Sequence, residues 1–479
     1  MSLGNRDPYV FLHAGHETRG IRTVQIPTRL KPGACYSFGV WWLVFGVCAL
    51  VFGVCGFAAA APAPPSFPLL THKAALDDWR GDAPGVRRLI TVEDLPSPGA
   101  TPSADKGPHM VSRPASAWPK APPGFEVDLL AEGFKNPRKI TTAPNGDFFI
   151  AEGSAGRVKV LRHTRAGKSA NESMTITSTF AEHLHQPFGI AFFPLGSKPR
   201  FVYVANTDSV VRFDYENGDL KARSEPQPIV PSIPGGGHLR GGGHWTRDLA
   251  FSRDGKKLFV SIGSHSNVND DSEEKDRADI FELNPDGSDF RIYASGIRNP
   301  VGLAIEPNTG ELWASVNERD GLGDDLPPDY ITRVQENGFY GWPWYYIGGH
   351  QDPHHAGKHP ELAAKVIVPD VLIQSHSATL CMTFYNARQF PARYRGRAFA
   401  AEHGSWNRAH RTGYKVISVP IEKGRASGEY EDFLTGFVTE SGDVWGRPVG
   451  VAVDLDGSLV VTDDGGNRVW RVRYTGKTR

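Results

Sequence analysis

"PVGLAIEPNTGELWASVNE", residues 300–318, decides how this chain folds. Val301, Leu303 and Ile305 alternate with smaller residues up to a turn built on Asn and Gly, and a second apolar run starts at Leu312. Period-two alternation on both sides of such a turn is a β-hairpin signal. The same phrase recurs as "PRKITTAPNGDFFIAEG" from Pro137 and, less cleanly, as "PFGIAFFPLGSKPRFVYVAN" from Pro187. It returns as "TRDLAFSRDGKKLFVSIGS" from Thr246 and as "PVGVAVDLDGSLVVTDDG" from Pro448. A degenerate copy, "LCMTFYNARQFPARYRGRAFAAEHG", begins at Leu380. Most copies are followed by a further strand, such as "RVKVLR", "SVVRFDY", "DIFELN", "YKVISVPI" or "NRVWRVRY". Six units spaced roughly 50 to 80 residues apart predict an all-β, six-bladed β-propeller. Blade faces then cover one another and ring closure leaves few exposed edges. Long helical patterns are absent, and no strand runs through GxGxxG into a helix, which argues against a nicotinamide-binding Rossmann unit.

The composition of the 479 residues fits this reading. Gly (53) and Pro (37) supply turns, while 26 Phe, 14 Tyr and 11 Trp supply a core that a disordered chain lacks. Lys plus Arg and Asp plus Glu both number 53, so no basic excess points to nucleic acid. Cys35, Cys48 and Cys55 lie in one N-terminal apolar run, leaving Cys381 alone downstream as an expected core residue. That run, over residues 35–60, follows Arg19, Arg22, Arg29 and Lys31 and ends in small residues. It reads as a secretory signal cleaved near Ala61 or Ala63, or as a transmembrane anchor if uncut. Either outcome places the remainder outside the cytoplasm, periplasmic or extracellular. The domain plan is therefore a leader over 1–61, a Pro-rich linker and arm over 62–123, and the propeller over 124–479.

Residues just before the first strand of each unit enter from one mouth of the ring. In "HLHQPFG", "GGGHWTRD", "SGIRNPVG", "SHSATL" and "GRPVG" these are His185, His244, Arg298, Asn299, His376 and Arg447, predicted to converge on one site although far apart in sequence. The six glycines of "PGGGHLRGGGHWTRD" let backbone and a bulky planar ligand approach closely beside His244. Asp320, Asp324, Asp325 and Asp329 in "VNERDGLGDDLPPDY" suit a hard cation, without the spacing of an EF-hand. "NVNDDSEEKDRAD" reads as a solvated loop. Arg408, His410 and Arg411 in "AEHGSWNRAHRTGYKV" offer partners for carboxylates, with Arg298 and Arg447.

Taken together, "GGGHWTRDLAF", "GIRNPVGLA", "LWASVNERDGLGDDL", "NGFYGWP", "AEHGSWNR" and "GRPVGVA" resemble the glucose/sorbosone dehydrogenase family of pyrroloquinoline quinone (PQQ) enzymes, closest to its sorbosone dehydrogenase-like branch. The resemblance runs from about Phe125 to the C-terminus, and "DWRGDAPGVRRLITVEDL" is similar to an N-terminal arm of that branch. It implies a propeller holding PQQ and Ca²⁺ at its mouth, with His244 as general base. Arg298 and Asn299 would touch the quinone, and Arg411 and Arg447 would hold PQQ carboxylates. The carbonyls of Glu318 and Arg319, with Asp320, align with the calcium turn, whose His-Gly-Pro sequence is missing here. Two further departures stand out: Gly243 precedes the base where the glucose enzymes have Asp, and Trp445 stands where a second clamp arginine is expected.

The expected protein is an exported quinoprotein dehydrogenase that oxidises a sugar, a sugar-derived aldehyde or a related alcohol and passes electrons to an external cytochrome or quinone. Two alternatives share the fold: a Ca²⁺-dependent, lactonase-like hydrolase using His244 on a metal-bound water, and a non-catalytic binding propeller.

Overall fold

A computed structural model describes residues 68–165, 173–235 and 243–477, all within one compact unit, Pro65–Arg479. Six mainly antiparallel sheets form the blades. Blade 1 comprises Pro137–Thr142, Phe148–Glu152, Arg157–Arg165 and Ser173–Ala181, and blade 2 Ile190–Phe193, Phe201–Ala205, Val210–Asp214 and Gln227–Val230. Blade 3 holds Leu249–Phe251, Leu258–Ile262, Asp279–Leu283 and Arg291–Ser295; blade 4 holds Asn299–Ile305, Leu312–Asn317, Asp329–Arg333 and Val371–Ile373. Blade 5 is Thr379–Phe384, Ala398–Glu402, Lys415–Val419 and Glu429–Leu434. Each repeated phrase thus supplies the two innermost strands of one blade.

The first strands line the ring, each beside that of the next blade, and blade 6 (Pro448–Val453, Leu459–Asp463, Arg468–Tyr474) lies beside blade 1. The recurrent glycine of "PVG" has a steric reason. A Cβ on Gly450 would stand 2.5 Å from the Arg138 carbonyl, and one on Gly302 would overlap the Leu380 carbonyl. The fourth strand of blade 6 comes from the other end of the domain: Phe125–Glu132 pairs antiparallel with Arg468–Tyr474, with Phe125 opposite Tyr474. Ring closure is therefore made by hydrogen bonds between the two ends of the propeller. Between blades the core is aromatic; Trp313, Trp470, Phe399 and Phe433 are fully buried. Cys381 is free and buried there, and burial pushes its thiol up to about 12, so it is inert.

The arm clasps the ring from outside. Arg87–Leu89 adds antiparallel to Glu429–Leu434 at the edge of blade 5, and Leu69–Thr71 pairs parallel to it. Arg88 is fully buried there against Asp82 and Asp432. Farther on, the Gly99 N–H donates to the Leu322 carbonyl and the Lys106 N–H to the Trp406 carbonyl, so the arm ties together two loops that reach the ring mouth. Among the described residues no helix is long and apolar enough to cross a membrane, and the apolar run over 35–60 lies outside them.

Candidate active site

Where the loops before the inner strands of blades 3, 4 and 1 converge lies a cavity of about 530 Å³, lined by His244, Arg298, Asn299, Asp320, Arg138 and Trp406 among others. The sequence-predicted base is there. His244 Nδ1 lies 3.0 Å from both the carbonyl and the hydroxyl oxygen of Ser264. That hydroxyl donates its own proton to the Ser266 carbonyl at 2.7 Å, so both Ser264 atoms accept from Nδ1–H. The tautomer leaves the Nε2 lone pair uncommitted. Burial, and then the Arg298 charge, drop the imidazole to about 3, so His244 is neutral at physiological pH.

Arg298 is 4 % exposed and held on three sides. Its Nε donates to the Asn267 carbonyl at 3.1 Å, Nη2 to the Asn267 side-chain oxygen at 2.9 Å, and Nη1 to the Glu318 carbonyl at 2.6 Å. Asn299 reaches Asn317 only at 3.4 Å, and its buried Oδ1 has no partner. Gly263 makes this packing possible, because a Cβ there would overlap the Asn299 amide and the His244 Cβ. The rest of the glycine loop, residues 236–242, lies outside the described residues.

The acidic loop is not arranged as a cation cradle. Ca²⁺ takes six to eight oxygens, yet each carboxylate faces another partner. Asp320 lies 3.6 Å from Arg298 and 3.4 Å from His376, Asp325 pairs with Arg408 at 2.7 Å, and Asp324 accepts from the Ala409 N–H. Asp329 caps the N–H groups of Glu318 and Ala378. The Arg319 side chain forks onto Asp352 at 2.7 and 3.0 Å, and the Glu318 carbonyl is engaged by the Arg298 cation. No three His, Cys, Asp or Glu side chains among the described residues form a metal cluster. Of the expected calcium ligands, the Glu318 carbonyl is thus taken by Arg298 and the Asp320 carboxylate faces Arg298 and His376.

The other expected residues are distributed differently. His376 is buried beneath the cavity, bonded to the Gly323 carbonyl at 2.9 Å, and His185 is exposed on Asp208. Arg447 sits behind the wall, donating from Nε to the His403 carbonyl at 3.0 Å. Arg411 is 6 % exposed and donates to the carbonyls of Gly442 (2.7 Å), Lys106 and Gly107 (both 3.2 Å), away from the cavity lining. In its stead the cavity contains Arg138, Asn267, Trp245 and Trp406, none predicted. Arg138 stands one residue inside the first inner strand, at the repeat position that Val301 and Val449 occupy in theirs, so repeat position gave no signal for it.

The TrAA12-like family model matches residues 119–335 and 351–475. The chain belongs to that family. This TrAA12-like chain is 31 % identical over 365 residues to an uncharacterized protein of Borreliella burgdorferi, covering 74 % of this chain and 90 % of that one. It is 24 % identical to a pyrroloquinoline quinone-dependent pyranose dehydrogenase of Coprinopsis cinerea over 73 % of this chain, and spans 54 % of that longer protein. The fold matches a Trichoderma reesei structure of carbohydrate-active enzyme family AA12, with a TM-score of 0.63, 20 % identity, and coverage of 76 % of this chain and 99 % of that one. The resemblance drawn from the motifs holds at the level of the family; the sorbosone branch is not singled out.

Proposed function

We propose that this protein is a PQQ-dependent dehydrogenase of sugars or sugar-derived aldehydes, exported or anchored outside the cytoplasm by its N-terminal apolar run. The observation that carries the reading is a neutral imidazole, fixed in one tautomer, facing the same cavity as a buried arginine and an amide with an unpaired end. Asn299 Nδ2–H has only a long 3.4 Å contact to Asn317, so it is free to donate to an oxygen of a planar, carboxylate-rich quinone beside the Arg298 cation. Arg298 and Asn299 would hold it. PQQ, when bound, supplies an electron-deficient quinone that accepts a hydride equivalent.

This chain's own residues do the rest. His244 Nε2 takes the hydroxyl proton of the substrate carbinol, or of an aldehyde hydrate, as its C–H bond breaks, and the carbonyl product leaves. Ser264 keeps the imidazole in register. The Arg298 charge, which disfavours the imidazolium, is offset when an anionic ligand lies against it, so base strength rises where the ligand is bound. Trp245 and Trp406, the latter 46 % exposed, give the cavity two aromatic side chains on which the apolar face of a pyranose packs. The relatives named as sugar dehydrogenases support the substrate class, and within it sorbosone-like aldehydes belong in the panel.

Purified protein would be assayed for reduction of an artificial electron-accepting dye with aldoses, sorbosone and simple alcohols, with and without PQQ, beside a panel of lactones. PQQ-dependent dye reduction by a sugar is expected. PQQ-independent lactone hydrolysis without dye reduction would overturn the reading in favour of a hydrolase.

A further inference from the structure

The carboxylate clamp implied by the motifs rested on Arg411 and Arg447, with a gap at Trp445. The structure takes two of these positions out of play. Trp445 is 1 % exposed and packs against Phe437 and Trp470, with ring centroids 5.0 and 6.1 Å away. Arg411 spends its donors on three backbone carbonyls, two of them from the arm.

Arg138 is placed to replace them. It is the second residue of Pro137–Thr142, 7 % exposed, and it lines the same cavity as His244 and Arg298. Its Nη1 donates to Asp464 at 2.6 Å and lies 3.5 Å from His403 Nε2. Asp464 also accepts from His403 at 2.7 Å, and although burial opposes it, His403 and Arg138 hold this carboxyl well below the usual range. Nη1 is therefore anchored and Nε is enclosed by protein, which leaves Nη2, with no hydrogen bond among the described residues, as the donor for a ligand. The group is further fixed between aromatic side chains, with Cζ 5.5 Å from the Trp245 ring centroid and 5.9 Å from that of Phe188. Arg447 lies close enough that Arg138 and Arg411 both disfavour its charge, with Asp464 the carboxylate that counters it. Arg138 and Arg447 both face Asp464, and Arg138, the one of the two that lines the cavity, presents a fixed guanidinium of the kind that recognises a carboxylate.

We propose that Arg138, anchored by Asp464, binds a carboxylate of the PQQ cofactor and makes the contact that residues 411 and 445 cannot make in this chain. The inference rests on the PQQ reading above, and its test separates the two. PQQ and its trimethyl ester would be titrated into wild-type protein, Arg138→Gln and Arg138→Lys, following tryptophan quenching, with circular dichroism and melting temperature checking the fold. Wild type should prefer PQQ to the ester. Arg138→Gln should weaken PQQ about ten- to hundredfold, the scale of one charge-assisted pair, while changing ester affinity much less, and Arg138→Lys should fall between. A folded Arg138→Gln variant that binds PQQ within twofold of wild type would overturn the assignment and leave the cofactor reading intact. Wild-type protein that binds neither compound would overturn both.

Discussion

Replacing Arg88 by Met tests whether the arm is riveted to the ring by buried charge. Arg88 Nη1 donates to both oxygens of Asp432 at 2.8 Å, and Nη2 to Asp82 at 2.8 Å. Lys415 Nζ reaches the same two carboxylates at 2.9 Å each, and Arg88, Lys415 and Asp432 are all fully buried. Two buried cations thus balance two carboxylates. Removing Arg88 leaves one cation for two buried carboxylates, and breaking a buried pair in this way costs about 3–5 kcal/mol. At about 2.1 cal/mol/K per residue, a unit of this size has an unfolding entropy near 0.9 kcal/mol/K, so the melting temperature should fall by about 3–6 °C. The sign with pH follows. The stranded carboxylate has a raised folded-state pKa, so it takes up a proton in the folded protein at pH values where the unfolded chain has lost it. The deficit should therefore be smaller at pH 5 than at pH 8. Differential scanning fluorimetry of wild type and variant across that range is sufficient. A melting temperature within 1 °C of wild type at pH 8, or a deficit that does not change with pH, would refute the charge balance.

Glu402 offers the complementary case. Its carboxyl is fully buried with both oxygens unpartnered, and burial pushes it up to about 8. This group stabilises the fold below its ordinary value of 4.5, and that contribution is lost by about 1.4 kcal/mol per unit as pH rises from there to about 8. Glu402→Gln should accordingly be more stable than wild type in urea at pH 8.5 and nearly equal to it at pH 5. His244→Ala should lose at least about a hundredfold in turnover, the scale of a general base, while binding PQQ within threefold of wild type by the same quenching titration. Trp406→Ala should raise the sugar KM about three- to tenfold with kcat within twofold, because an aromatic contact contributes on the order of 1 kcal/mol to binding.

The blades were legible because their inner strands obey local rules: period-two alternation, an Asn- or Asp-Gly turn, and a glycine where neighbouring strands nearly touch. Phe125–Glu132 was not, since its place in blade 6 depends on a partner more than three hundred residues away rather than on any phrase of its own. The site divides in the same way. His244, Arg298 and Asn299 stand at the same point of consecutive repeats, and repeat position predicted their convergence. Arg411 belongs to the long loop of blade 5, whose course is set by the arm through Lys106 and Gly107, a contact no spacing encodes. The partners of the acidic loop were hidden from the sequence for a related reason. Charge counts do not reveal that Arg298, Arg408 and His376 lie against those carboxylates in the fold. Arg138 carried no such repeat signal, because it sits one residue inside its strand, where the other repeats have apolar residues such as Val301 and Val449.

The central claim is that this cavity couples a sugar carbinol to a quinone through His244. Protein saturated with PQQ would be mixed anaerobically with an aldose, and the oxidised cofactor's absorption followed through one turnover. The account predicts stoichiometric loss of that absorption with one aldehyde, lactone or acid product formed per cofactor, and a rate at least about a hundredfold lower for His244→Ala at equal cofactor occupancy. Bound PQQ that stays oxidised across the panel of aldoses, sorbosone and simple alcohols, or an equal rate in the His244 variant, would contradict it.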